Sequence, residues 1–467
     1  MTPSKRVPFA AAASDWSSAT GLRRLIAWRS AFVLSLGSAL LVTVSLGPMG
    51  GEIGASLVVV WSGTALIGLL QCLFIAELAC RYPHKVWGAP TYNHEGLKHL
   101  SPIFGAVSAW GYWVGWIPGV AANLTIASTY IKAAFLPNLN VLEMTLALGI
   151  LLYVLNYFGL KVSVWVSGTM AFCALVPLVI ILLSPVFRGS LWHGGNFHPM
   201  MPAGLTWYSL PGLLVFAKWT FVAVWSSYGG EMIATVAGEL RDPRKDIPLA
   251  LGLAAAATLL VFVAVPVVLV AMVGAPKLAQ DPYVVFLSAT REIFGATGTM
   301  VVTVMLVAAL FLGAQLFIIS SSRALYGMSK DGLTLQSYSR VNRHGVPVGS
   351  MGWGALVTLS LLAIFKEDVV NVVAAANVGY LTVFVLFPLS YILIRLNREE
   401  VSTFRLPGFM TIVAVLILIF NAVLLVVGGS QWGFKVISIG VFLVLTFIPF
   451  YKRRQAAIDS SHTPVAR

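Results

Sequence analysis

The sequence predicts an all-α integral membrane protein of twelve transmembrane helices, and three observations carry that prediction. Of its 467 residues, 58% are hydrophobic and only 10% are charged, against about 25% charged in an average soluble protein. Mean hydropathy is +0.88. The apolar residues fall in continuous runs of roughly 20, the length a helix needs to cross a bilayer, and lack the alternation of a membrane β-barrel. The net charge of +13 does not point to nucleic acid, because the basic residues lie in the loops between apolar runs, where they report topology.

The runs lie at 29–50, 56–80, 104–134, 141–158, 163–185, 208–240, 248–274, 297–328, 349–365, 370–394, 408–428 and 432–451, numbered segments 1 to 12. An even number of crossings puts both termini on one side. Sorted that way, about 23 of the 30 Lys and Arg fall on the N-terminal side and about 6 opposite, with Lys218 inside segment 6, so both termini are expected in the cytoplasm. Residues 1–28 read as a cytoplasmic tail; the first 22 are polar and Ala/Ser-rich and do not look like a cleavable signal. Residues 452–467 form a second tail, basic and then polar. Cys72, Cys80 and Cys173 are odd in number and unpatterned, which gives neither a disulfide framework nor a metal site. His193 and His198, in the loop before segment 6, read as solvated surface.

Segment 6 organises the rest. Its apolar run breaks at Ser226, Ser227, Tyr228, Gly229 and Gly230, with an acid, Glu231, just past the break. Glycine pairs open a helix cheaply. At bilayer depth such a break persists only where it lines a cavity in the protein, so it marks a binding site. Gly229 and Gly230 are therefore expected to border a cavity and to free backbone N–H groups that, with the helix dipole, attract an anionic group. The plainer reading is a pair of packing glycines. Glu231 either holds a substrate ammonium, carries a coupling proton or has a structural partner. Trp225, Tyr228 and, in segment 8, Phe317 are candidates for enclosing a substrate through cation–π contacts, although a lone aromatic in a membrane helix more often faces lipid.

Segment 1 is the second candidate break. It mixes Thr43, Ser45, Gly47, Pro48, Gly50 and Gly51 ahead of Glu52, where a plain spanning helix would be Leu-rich. Pro48 removes a backbone donor. Two readings stand: a broken helix, or an ordinary one ending at Gly47 with residues 48–51 as an external turn. After segment 2, Glu77, Arg81 and Pro83 lead into a turn-rich cytoplasmic link from Trp87 to Tyr92. Asn123, mid-segment 3, bonds across helices or contacts substrate, and Trp113 and Trp116 beside it read as packing. Lys218 reads as snorkelling to the outer interface. Segments 1 and 6 each begin a five-helix set (29–207 and 208–396), and five crossings being odd, the sets take opposite orientations. That is the form of an inverted repeat, with residues 397–451 (helices 11 and 12) outside it.

These residues resemble an amino acid/polyamine/organocation (APC) superfamily permease. Its segment 6 pattern is matched by Trp225, Tyr228, Gly229, Gly230 and Glu231, then Glu239, Asp242, Pro243 and Pro248; segment 8 by Ser322, Arg323, Asp331 and Gly332, with Gly345 and Pro347 after it; and segment 2 by Glu77 and Pro83. The resemblance covers nearly the whole chain and implies a LeuT-like fold with helices 1 and 6 broken. It implies that Thr43, Ser45 and Gly47 stand where many members hold the substrate carboxylate, that Phe317 is a gating aromatic, and that Ser226 lines the site. In sodium-coupled relatives helix 8 hydroxyls hold the ion, which would fall to Ser320 and Ser321, while serines in membrane helices more often bond their own i−4 carbonyl. Segment 5 lacks the lysine of many proton-coupled members and in that respect resembles the polyamine and LAT-like branches. The function implied is a secondary active transporter of amino acids, as symporter or exchanger, with H+ or Na+ as coupling ion. A polyamine or other organic amine carrier is the alternative, and a channel or a substrate-sensing receptor on the same scaffold is the competing class. Polyamine transport is suggested by Glu231, Glu52 and the aromatics. A membrane enzyme ranks last, since no paired carboxylates, His-rich cluster or nucleophile motif stands at membrane depth, and no cofactor is expected. Small-molecule substrate and lipid bilayer are the expected partners, at the plasma (inner) membrane.

Overall fold

The structure, a computed structural model, describes Leu22, Arg24 and residues 26–82, 87–366, 368–397 and 404–462. Most of the predicted N-terminal tail, Pro83 and the end of the C-terminal tail lie outside the described residues. Among the described residues the secondary structure is helical, save one isolated parallel bridge between Ile26 and Leu240. Nine helical stretches there are long and apolar enough to cross a membrane.

The first of these, Trp28–Arg81, holds segments 1 and 2. It comprises α1 (Trp28–Ser35), a 3-10 stretch (Leu36–Val44), α2 (Leu46–Ile53) and α3 (Leu57–Arg81). The chain turns at Gly54, whose φ of 63° belongs to glycine. Segment 1 therefore does not end at Gly47 with residues 48–51 as the turn. Helix continues to Ile53, and Pro48 sits in the first turn of α2, where its missing N–H would have no intrahelical acceptor anyway.

The predicted turn-rich link is in fact helical from residue 89: α4 (Ala89–Leu97). With Pro90, Asn93, His94 and Gly96 it has no apolar period to read, yet it is buried by its neighbours. Asn93 Nδ2 donates to Ser108 Oγ at 2.5 Å and to Val383 O at 3.0 Å. α5 (Ile103–Ala134) is the central post, buried along nearly its whole length and packed on α11 and α13. It is not among the nine apolar spans, because Trp, Tyr, Gly and Ser replace aliphatic residues along it. α6 (Val141–Tyr157) is capped by Asn140, whose Oδ1 accepts from the N–H groups of Leu142 and Glu143. α7 (Leu160–Phe187) and α8 (Leu210–Ser227) follow, and α8 runs into a second 3-10 stretch, Gly229–Glu239.

Beyond it lie α9 (Pro243–Val273) and a short helix the sequence does not announce, α10 (Ala275–Gln280). α11 (Val285–Lys330) bends at Gly295, φ 67° and ψ −170°, so its long apolar part starts where segment 8 is predicted. α12 (Val348–Phe365), α13 (Val369–Leu396), α14 (Met410–Val423) with a π turn (Leu424–Gly428), α15 (Gly433–Leu445) and α16 (Phe447–His462) complete the chain. The two described ends of the chain are tied to one end of the bundle. Ile26 N–H donates to Glu239 O at 3.1 Å, and Gln455 Nε2 donates to Gly332 O at 3.1 Å. Buried ion pairs stitch that end: Arg323–Glu239 at 2.5 Å and Arg395–Glu77 at 3.3 Å.

Candidate functional site

Long 3-10 runs are rare, because their hydrogen bonds are poorly aligned, and within a helix they often mark a hinge. Among the described residues there are two, of 9 and 11 residues, and each lies beside a predicted break. In segment 1 the interruption is Ser45, at φ −131° and ψ −3°. In segment 6 it is Tyr228, which keeps right-handed helical angles (φ −81°, ψ −9°). Segment 6 thus changes helix type at the predicted place without unwinding. The Glu231 N–H is bonded to Tyr228 O at 3.2 Å, so that donor is not free.

The two interruptions meet. Ser226 Oγ donates to Leu41 O at 3.2 Å. A Cβ on Gly229 would lie 3.2 Å from Leu41 Cδ1, 3.4 Å from Ser38 Cβ and 3.6 Å from Trp116 Cη2. One on Gly230 would lie 3.3 Å from Thr258 Oγ1 and 3.6 Å from Cys72 Sγ. Both glycines are therefore close-packed, and the expectation that Gly229 borders open space is corrected: lacking Cβ, it lets segments 1, 3 and 6 touch.

Around this crossing four buried rings interlock. Trp116 on α5 lies 5.1 Å from Trp225, 5.1 Å from Phe317 and 4.5 Å from Tyr380 of α13, and Trp225 lies 5.7 Å from Phe317. Each such pair adds roughly 0.5–1.5 kcal/mol beyond its burial. Small residues on α5 admit the rings: a Cβ at Gly115 would meet Tyr380 Cβ at 2.7 Å, and one at Gly119 would meet Phe317 Cε2 at 2.8 Å. The Trp225 indole donates to Gly115 O at 2.7 Å. Tyr228 packs on Phe384 at 5.3 Å and donates to Asn421 Oδ1 at 2.9 Å.

Glu231 lies against this wall, fully buried. Tyr380 OH donates to its Oε1 at 3.3 Å, and Oε2 has no hydrogen-bond partner. Tyr112 OH and Trp116 Nε1 face the same carboxylate without closing a bond, and both are buried and unpaired. Among the described residues no Lys or Arg pairs with Glu231, whereas Glu239 and Glu77 take Arg323 and Arg395. A buried carboxylate without a cation is costly by several kcal/mol. The arrangement can accept a cationic group or a proton.

The other predicted residues divide. Ser45 Oγ is buried and unpaired at the segment 1 interruption, and Thr43 is buried two residues before it. Gly47 belongs elsewhere: a Cβ there would strike main-chain atoms of Pro282 at 2.5 Å and Leu278 at 2.8 Å, so it packs against the loop around α10. Asn123 Nδ2 donates to Gly119 O at 2.9 Å within its own helix, with its unpaired Oδ1 turned to Gly313. Ser320 Oγ reaches Met232 O at 3.4 Å, linking α11 to the 3-10 stretch, and Ser321 Oγ bonds Phe317 O of its own helix at 2.6 Å. Glu52, which the sequence offers to an amine, is already taken by Lys218 at 2.6 Å and by the Trp219 indole at 3.0 Å. Sequence reasoning did not single out Tyr112 or Tyr380 and set Trp116 aside as packing. The alternation of glycines and aromatics from Gly111 to Gly119 was the available signal.

A family model described as amino acid permease matches residues 26–448. Among curated relatives, the chain is 26% identical over 392 residues to the amino-acid permease RocE of Bacillus subtilis (strain 168), covering 78% of this chain and 79% of the relative. It is 26% identical over 448 residues to an uncharacterized transporter of Mycobacterium tuberculosis (strain ATCC 25618 / H37Rv), covering 95% of each. It is 23% identical over 420 residues to the aromatic amino acid transport protein AroP of Escherichia coli (strain K12), covering 86% and 89%. With interrupted helices crossing at a buried acid and a family match from one end of the bundle to the other, the chain belongs to the amino acid permease family of the APC superfamily, a family of membrane transport proteins and not of enzymes.

Proposed function

We propose that this protein is a secondary active transporter that moves an amino acid across the plasma (inner) membrane by alternating access. In this reading the chain crosses twelve times, as two inverted five-helix sets (29–207 and 208–396) followed by helices 11 and 12, with both termini cytoplasmic. The excess of about 23 basic residues over about 6 supports that orientation. Relatives named amino-acid permease and aromatic amino acid transport protein support the substrate class.

The observation that carries the reading is Glu231: a buried carboxylate with one oxygen unpaired, walled by Trp116, Trp225, Phe317 and Tyr380, where the two interrupted segments touch. Glu231 takes the substrate ammonium or the coupling proton, and the rings cover the cation. Ser45 Oγ, buried and unpaired at the other interruption, is the group we assign to the substrate carboxylate. A polyamine carrier is the second reading, favoured by the same acid, with which no described Lys or Arg pairs.

Purified protein in proteoliposomes tests both. Saturable uptake and counterflow of an amino acid, with a thermal midpoint raised by that amino acid through mass action, is the expected result. Counterflow of polyamines alone would transfer the assignment to the second reading. Conductance, or binding without flux, would replace transport by a channel or a sensor.

A further inference from the structure

We propose that Asn421, on α14 outside the two predicted five-helix sets, is a positioning residue that holds the segment 6 interruption against α13, the helix whose Tyr380 bonds Glu231. The inference rests on the transport reading above. Asn421 is fully buried in a helix that is otherwise nearly all aliphatic. Its Oδ1 accepts from Tyr228 OH at 2.9 Å, and its Nδ2 donates to Phe384 O at 2.5 Å. Phe384 O is four residues before Pro388, a proline inside α13, so the helix itself cannot supply a donor to that carbonyl. The amide therefore satisfies a group that the proline strands, and with its other end it grips the residue at which segment 6 changes helix type.

The link continues to the acid. The Phe384 ring lies 5.3 Å from Tyr228 and 4.7 Å from Tyr380, and Tyr380 OH donates to Glu231. Higher up, the same strand of chain is fastened to α8 twice more. A Cβ on Gly428 of the π turn would meet Ala217 O at 2.5 Å, and Trp432 Nε1 donates to Lys218 O at 3.1 Å. Motion between segment 6 and α13 must carry this amide along or break its bonds. A side-chain amide suits the place, because it accepts from one partner and donates to the other at once.

The test uses the full chain in liposomes with Cys80→Ser and Cys173→Ser, leaving Cys72, beside Gly230, as the probe. Maleimide labelling of Cys72 reads the opening of segment 6 without any substrate, and the half-saturation for amino acid uptake reads the site. Asn421→Leu and Tyr228→Phe should each raise both by roughly two- to tenfold, the factor one hydrogen bond carries. The double variant should exceed neither, because both changes cut one link. If Asn421→Leu fails to fold, Asn421→Ser takes its place in the cycle. Wild-type labelling with only a lowered thermal midpoint, or additive effects, would overturn the proposal by making Asn421 merely structural. Absence of amino acid uptake by the unsubstituted protein would defeat the transport reading instead, while Cys72 labelling would still decide the role of Asn421.

Discussion

Glu231 and Glu239 stand on the same 3-10 stretch, Gly229–Glu239, and both are buried. Glu239 meets Arg323 at 2.5 Å, with the side chains 3% and 4% exposed. Glu231 accepts from a tyrosine hydroxyl on one oxygen and has no hydrogen-bond partner on the other, while Tyr112 and Trp116 face the carboxylate without closing a bond. One carboxylate ties the end of segment 6 to α11; the other has no Lys or Arg beside it among the described residues. Burial alone thus says little about the role of an acid, and the presence or absence of a built-in partner says much. Changes at the two positions should therefore fail in different ways.

The largest effect is expected at the paired acid. Glu239→Gln leaves the Arg323 guanidinium buried without its counter-ion, a loss of about 3–5 kcal/mol. The thermal midpoint and the yield of monodisperse protein in size exclusion should fall together. The double change Glu239→Leu with Arg323→Met should recover most of that loss, since an apolar pair needs no compensation. A Glu239→Gln protein with an unchanged midpoint would erase the contrast.

Glu231→Gln should do the reverse. It preserves shape, removes an unpaired buried charge, and keeps an acceptor for Tyr380 OH, so the midpoint should hold or rise. Gradient-driven accumulation should fall by roughly thirtyfold or more, the scale of losing a buried charged contact. If counterflow persists, Glu231 carries the coupling proton; if binding falls as well, it holds the substrate ammonium. Robust accumulation by this variant would mean that the site lies elsewhere.

How much of this was legible beforehand depends on the kind of signal. Helices came from long apolar runs, which depend on local composition, and each predicted run falls on a helix. The interruption at Tyr228 was legible because serines and paired glycines are local signals too. α4 was not, because nine residues rich in Pro, Asn, His and Gly owe their burial to α5 and α13 rather than to their own pattern. The partners of the acid were hidden for another reason. Tyr380 is 149 positions from Glu231, and in an α5 aromatic on several faces no periodicity says that Tyr112 and Trp116 point inward while Trp113 packs with Trp110. Gly47 misled because its small size serves the contact with Pro282 as well as it would serve a substrate.

The smallest effect is expected where an acid is paired but open to solvent. Lys218 Nζ lies 2.6 and 2.8 Å from the two oxygens of Glu52, with the side chains 21% and 44% exposed, and sits over the rings of Trp219 and Trp432 at 5.1 and 5.0 Å. Pairs this open contribute about 0–1 kcal/mol, because water already solvates both partners. Lys218→Met keeps the apolar stem against the indoles and leaves Glu52 with the Trp219 N–H at 3.0 Å. The midpoint should drop by at most a few degrees, the drop should shrink in about 1 M salt, where screening acts within roughly 3 Å, and uptake should stay within about twofold of the unsubstituted protein. Loss of uptake on the scale of Glu231→Gln would show that a paired, half-open acid can also belong to the transport machinery, and the rule drawn from Glu231 and Glu239 would then hold only for acids sealed from water.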